Sequence, residues 1–230
     1  MTTLLMLPGL LLDRRLFEAQ TSALQSEISI VIPELWHARD IGAAAPAVLD
    51  QAPERFALLG LSMGGYVAFE IMRRAPERVT RLALLDTQAG ADDEAARATR
   101  EQRVQKAKAG RFDDVLDELH PTWVHSSRHD DRVLRRTLRE MATTVGIEGF
   151  AAEMQTILRR PDSRPDLPRV TCPTLVLCGR EDQPTPLQAH LEMAEEIPDA
   201  TLVVLPNCGH LAPLEKPAEV TEQLRIWLAR

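Results

Sequence analysis

Three residues far apart in the chain have the types and the order needed for acyl-transfer chemistry. Ser62 lies in Gly60-Leu61-Ser62-Met63-Gly64, a G-x-S-x-G pattern with an apolar run before it and a helical pattern after it. A serine hydroxyl attacks a carbonyl only when a base removes its proton, and the base is held by a carboxylate. Asp182 follows the apolar run of "TLVLCGREDQPTP", and His210 follows that of "TLVVLPNCGHLAPLEKP". The order serine, acid, histidine suits a nucleophile on a sharp strand-to-helix corner. Each residue also has an ordinary reading. Ser62 would be a helix N-cap, Asp182 a loop-capping carboxylate and His210 a loop histidine. Asp86, at another strand end, is a rival acid position.

The corner has steric requirements. Side chains at Gly60 or Gly64 would collide with the neighbouring strand or helix. A tetrahedral oxyanion needs two backbone N–H donors. Met63, next after the serine, is expected to supply one. The other is expected from "LPGLLLD" after the first strand, at Leu10, with Leu11 as second choice. His37 and Trp123 are candidates for contact with a substrate. Phe112 and Phe150 are pocket or packing residues. His120, His125 and His129 around Trp123 read as lid residues rather than metal ligands. Cys208 is close to His210 in sequence, but the serine at the corner leaves its thiol no nucleophilic role. Arg160, Asp162 and Arg164 in the linker read as ion-pairing residues, with an anchor for a substrate carboxylate as the alternative.

These side chains need a scaffold that brings strand ends together. Continuous apolar runs at Thr3–Leu7, Ile28–Ile32, Phe56–Leu61, Leu82–Leu85, Thr174–Cys178 and Thr201–Leu205 read as strands covered on both faces. Helical patterns lie between them, at Arg14–Ser26, Ile41–Gln51, Met63–Ala75, Pro186–Glu195 and Pro217–Ala229. Such alternation predicts a parallel α/β sheet of six strands flanked by helices. Between Asp86 and Pro173 there is no strand pattern. Ala91–Ala109, Phe112–Leu119, Asp131–Thr144 and Ile147–Leu158 read as helices, a helical lid insertion. Three prolines in Arg159–Pro168 read as an irregular return linker. The expected division is a core of residues 1–87 and 169–230, with a lid and linker over 88–168.

Composition narrows the partners. A net charge of −7 argues against nucleic acid and against an anionic membrane surface. Three cysteines, an odd number, do not suggest a disulfide framework, and the expected setting is a cytoplasmic one. The opening "MTTLLMLPGLLLDRR" lacks a basic n-region and is broken by Pro8-Gly9, so no signal peptide is expected. No cysteine and histidine spacing suggests zinc. No metal or organic cofactor is expected, and oligomeric state is not legible.

The G-x-S-x-G corner, "GREDQPTP" and "GHLAPLEKP" together resemble the α/β-hydrolase superfamily, in its small Ser-His-Asp branch with a helical lid. The resemblance covers essentially the whole chain. It implies an α/β-hydrolase fold with Ser62, Asp182 and His210 catalytic and Leu10 and Met63 in the oxyanion hole. It also implies a small ester or acyl compound as substrate, carboxylesterase chemistry as the activity and no cofactor. A C–C bond hydrolase or enol-lactonase would use the same triad, and a ligand receptor on this fold is a further alternative. Three features depart from the family pattern. Pro8-Gly9 stands where His-Gly is usual, "PELWHARD" replaces the usual Gly-His-Gly turn after the next strand, and the two strands that usually lead the sheet are absent.

Overall fold

A computed structural model describes residues 2–230. Six strands form one parallel sheet: β1 (Thr3–Leu7), β2 (Ser29–Val31), β3 (Phe56–Leu61), β4 (Val79–Leu85), β5 (Thr174–Gly179) and β6 (Ala200–Leu205), in the order β2-β1-β3-β4-β5-β6. β3 and β5 are buried along their whole length, which is why they read as unbroken apolar runs. The edge strand β2 is shorter than expected, and none of its residues is fully buried. β4 begins earlier than its apolar run because the half-exposed Thr80 and Arg81 hide its start.

Helices flank the sheet: α1 (Glu18–Leu24), α2 (Ile41–Gln51), α3 (Met63–Arg74), α7 (Leu187–Glu196), α8 (Ala212–Glu215) and α9 (Pro217–Leu228). The expected helix over Arg14–Ser26 divides into a 3-10 turn at Arg14–Phe17 and then α1. Asp13 caps the turn by accepting from the Arg15 N–H.

Between β4 and β5 the chain forms α4 (Glu94–Lys108), α5 (Phe112–Trp123) and α6 (Arg132–Leu158). α5 runs through Pro121, beyond its expected end at Leu119. Burial of Trp123 rewards the extension, and the Thr122 hydroxyl donates to the Leu119 carbonyl at 2.7 Å. α6 is two helices meeting at Gly146, whose φ of 70° and ψ of 176° are not helical. This break lies in the gap between the two helices expected there. The proline-rich return does contain regular structure, a 3-10 turn over Arg164–Arg169. Proline fixes φ near the value such a turn requires, so these residues shape the turn rather than prevent it.

The strand order reverses between β1 and β3, the place where open parallel sheets form a crevice at the carboxyl ends of their strands. Ser62, Asp182 and His210 follow β3, β5 and β6 at that edge. Helices α5 and α6 reach the same edge through the hydrogen bonds described next.

Candidate active site

Ser62 joins β3 to α3 with φ 53° and ψ −117°, a conformation that non-glycine residues rarely adopt. Its N–H donates to the Leu85 carbonyl at 3.0 Å, and its own carbonyl accepts from the Thr87 hydroxyl at 2.8 Å. The two glycines fit the corner sterically. A Cβ on Gly60 would lie 2.4 Å from the Gly64 carbonyl oxygen, and one on Gly64 would lie 2.1 Å from the Leu7 carbonyl oxygen. The corner thus admits no side chain at either position without moving backbone.

The three expected residues meet. His210 Nε2 lies 2.9 Å from Ser62 Oγ. On its other side, His210 Nδ1 lies 2.9 and 3.0 Å from the Asp182 oxygens. Both Asp182 and His210 are buried. A proton on Nδ1 leaves Nε2 as the acceptor facing the serine. Burial opposes ionisation of Asp182. The adjacent His210, together with the Thr185 hydroxyl and N–H, outweighs it and holds the carboxyl below its usual range.

Thr185 was not among the expected residues. Its N–H donates to Asp182 Oδ1 at 2.9 Å and its hydroxyl donates to Oδ2 at 2.7 Å. The three-residue spacing in "DQPT" was the available signal, since an aspartate commonly accepts from the backbone a few residues on. Glu181 turns away and accepts from the Cys208 N–H at 3.0 Å.

Asp86 does not contact His210. Its two oxygens accept from the Gly179 and Ala212 N–H groups, each at 3.0 Å, so it ties the loop ends of β5 and β6 together. Complete burial and the neighbouring Asp182 charge raise its pKa well above the ordinary value. His190 is also buried, and its Nε2 accepts from the Thr87 N–H at 3.0 Å. Burial lowers its pKa to about 4.

In the loop after β1, Leu11 has φ 60°, and its N–H donates to Glu153 Oε2 at 2.8 Å. Leu11 N–H is therefore committed, whereas the N–H groups of Leu10 and Met63 have no protein acceptor among the described residues. Glu153 is fully buried on α6, and burial raises its pKa to about 8. Its position could have been noticed from the apolar face formed by Phe150, Met154 and Ile157, on which it also lies.

A cavity of about 350 Å³ opens on Ser62 and His210, with Leu10, Tyr66 and Trp123 in its walls. Trp123 also accepts the His210 N–H at its carbonyl, at 2.8 Å. His37 lies apart from this cavity. It is exposed and sits 3.0 Å from Glu34, because the short β2 leaves the following loop at the outer edge. Phe112 and Phe150 pack on each other, with ring centroids 5.6 Å apart, and do not line the cavity. His125 and His129 make local contacts to Ser127 and to the Val124 carbonyl. Burial raises the Cys208 thiol pKa and pushes that of Cys178 up to about 12, which suits inert core thiols. Asp162 pairs with Arg164, and Arg160 with Asp92.

The same architecture occurs in known proteins. The chain is 31% identical over 188 residues to a pimeloyl-[acyl-carrier protein] methyl ester esterase from Pectobacterium atrosepticum, covering 78% of this chain and 72% of that protein. The solved structure of a thermophilic esterase from Thermogutta terrifontis, described with malate bound, is 30% identical with a TM-score of 0.90, covering 100% of this chain and 90% of that one. The enol-lactonase from Burkholderia xenovorans LB400 has a TM-score of 0.89 at 22% identity over 100% of this chain and 92% of that one, a likeness of fold. The alpha/beta hydrolase family profile matches residues 4–223, and the chain belongs to that family.

Proposed function

We propose that this hydrolase cleaves a small carboxylic ester through an acyl-enzyme intermediate. The observation that carries the reading is the contact of 2.9 Å between Ser62 Oγ and His210 Nε2, with Asp182 behind the ring. His210 takes the Ser62 proton as Oγ bonds to the ester carbonyl carbon. The carbonyl oxygen becomes an oxyanion held by the Leu10 and Met63 N–H groups. Asp182 fixes the tautomer of His210 and stabilises the imidazolium. The tetrahedral intermediate collapses, the C–O bond to the alcohol breaks, and His210 protonates the departing alkoxide. Water then gives a proton to His210 as it attacks the acyl carbon. The acid leaves and Ser62 regains its proton.

The cavity volume of about 350 Å³ suits a small substrate. The Pectobacterium relative, named as a methyl ester esterase, supports an ester as that substrate. In this reading residues 1–87 and 169–230 are the catalytic core, 88–168 form the lid and its return linker, and Trp123 is a wall that contacts substrate. A cytoplasmic setting, expected from the cysteine content, belongs to the same reading. No helix among the described residues is long and apolar enough to cross a membrane.

Labelling with a fluorophosphonate probe tests the nucleophile. The wild type should label, and Ser62→Ala should not, with ester turnover reduced at least ~10³-fold. Equal labelling of both proteins overturns the assignment.

A further inference from the structure

The cavity beside Ser62 has an uneven charge. Arg100 and Arg103, both on α4, line it, and among the described residues no aspartate or glutamate does. The two arginines are not equivalent. Arg100 Nε sits 2.7 Å from Asp92 Oδ2, and Asp92 Oδ1 is shared with Arg160 Nη2 at 2.7 Å. Arg160 in turn stacks over the Tyr66 ring, 4.2 Å from its centroid. One carboxylate therefore serves two guanidinium groups, and none is left for a third.

Arg103 makes no hydrogen bond or ion pair among the described residues, and its Nε is buried with no partner. Glu118 is the acidic group that acts on it, but Glu118 is already paired with Lys106. Burial and the neighbouring Arg100 both disfavour its charged form. A half-buried guanidinium next to another cation, on the wall of a cavity, is a costly arrangement unless an anion arrives to complete it. Its planar fork of donors matches a carboxylate in geometry and charge.

We infer that Arg103 is a specificity-determining residue that receives a carboxylate carried by the substrate, so that the preferred esters are anionic: half-esters of dicarboxylic acids or acyl esters of hydroxy acids. The inference rests on the proposed ester hydrolysis and names the substrate class of that site. The molecule as a whole is negative, at −7, and repels such a substrate at long range. The attraction is therefore local, and it depends on Arg103 rather than on surface charge.

Two pairs of esters distinguish the sources of the charge. Monomethyl against dimethyl glutarate puts the carboxylate on the acyl side. 4-Acetoxybutyrate against butyl acetate puts it on the alcohol side. In the wild type, kcat/KM should favour the anionic member of at least one pair. In Arg103→Gln the anionic-to-neutral ratio should fall about 10- to 100-fold, the scale of a charge-assisted hydrogen bond, and Arg103→Lys should keep part of it. Ratios equal within about twofold in wild type and Arg103→Gln would overturn the inference and leave ester hydrolysis standing. If no ester is turned over, the proposed function fails, and binding still decides the role of Arg103. Calorimetric titration of Ser62→Ala with monomethyl glutarate and with 4-acetoxybutyrate should show binding of at least one. That binding should be lost in the Ser62→Ala/Arg103→Gln protein. Equal binding, or no binding to either protein, counts against Arg103.

Discussion

Asp182 shows how a single carboxylate is kept ionised in a buried place. Four contacts hold it: two from His210 Nδ1 and two from Thr185. Because its folded pKa is depressed, it contributes stability that is present above its unfolded pKa and lost as pH falls through the folded value. Thr185→Val removes the hydroxyl donor and keeps the shape. The Asp182 pKa should then rise, so acid loss of stability begins at a higher pH than in the wild type, and the variant is less stable at neutral pH by about 1–3 kcal/mol, the scale of one lost hydrogen bond to a charged group. Chemical denaturation of both proteins between about pH 3 and 7 checks this. Parallel curves would mean that the hydroxyl does not hold the charge. The residues that meet at the corner were legible because a flanked serine, an acid and a histidine each follow a distinct apolar run. Thr185 was not, because a hydroxyl that orients a carboxylate resembles any loop threonine. His37 misled because being near a strand end in sequence does not fix which way the next loop turns.

Among the elements, the loops after β1, β3, β4 and β6 each contain one non-glycine residue at positive φ: Leu11, Ser62, Asp86 and Asn207. All four follow the carboxyl ends of strands, the edge where the candidate site lies. Strained backbone persists only where its surroundings over-determine it. At Leu11 the surroundings include a different element, since Glu153 on α6 accepts its N–H. Glu153 has a folded pKa of about 8, well above that of a free glutamate. The folded chain therefore holds a proton that the unfolded chain releases. The stability is full below the unfolded pKa of about 4.3 and declines until pH passes the folded value. Glu153→Gln retains an acceptor that does not ionise. It should flatten this decline and exceed the wild type in stability above pH 8 by on the order of 2–5 kcal/mol. Unfolding free energies at pH 5, 7 and 9 provide the measurement, and an equal pH slope in the two proteins would contradict it. Element identity was legible where burial is two-sided, as in β3 and β5, and blurred where polar residues enter a strand, as at the start of β4.

For the molecule as a whole, a single buried apolar cluster runs from Leu4 of β1 through Val115 and Met154 of the α4–α6 segment to Trp227 of α9. A segment that shares its core with the sheet should melt with it. Calorimetry should therefore show one cooperative unfolding transition, with calorimetric and van't Hoff enthalpies in agreement. Two resolved transitions would show that the segment has a stability of its own. The parallel sheet and its helices were legible in the alternation of apolar runs, because that alternation is itself a whole-chain pattern. The contact between the segment and the site loops was not, since it depends on single polar groups such as the Trp123 carbonyl and the Glu153 carboxyl. Those two groups limit modularity. The segment is not a cassette to be exchanged between relatives while the rest of the chain stays constant. A transplanted replacement would have to bring an acceptor for the Leu11 N–H and a backbone carbonyl for the His210 N–H. Without them, two site loops would lose an anchor even though every residue of the original sheet was still in place.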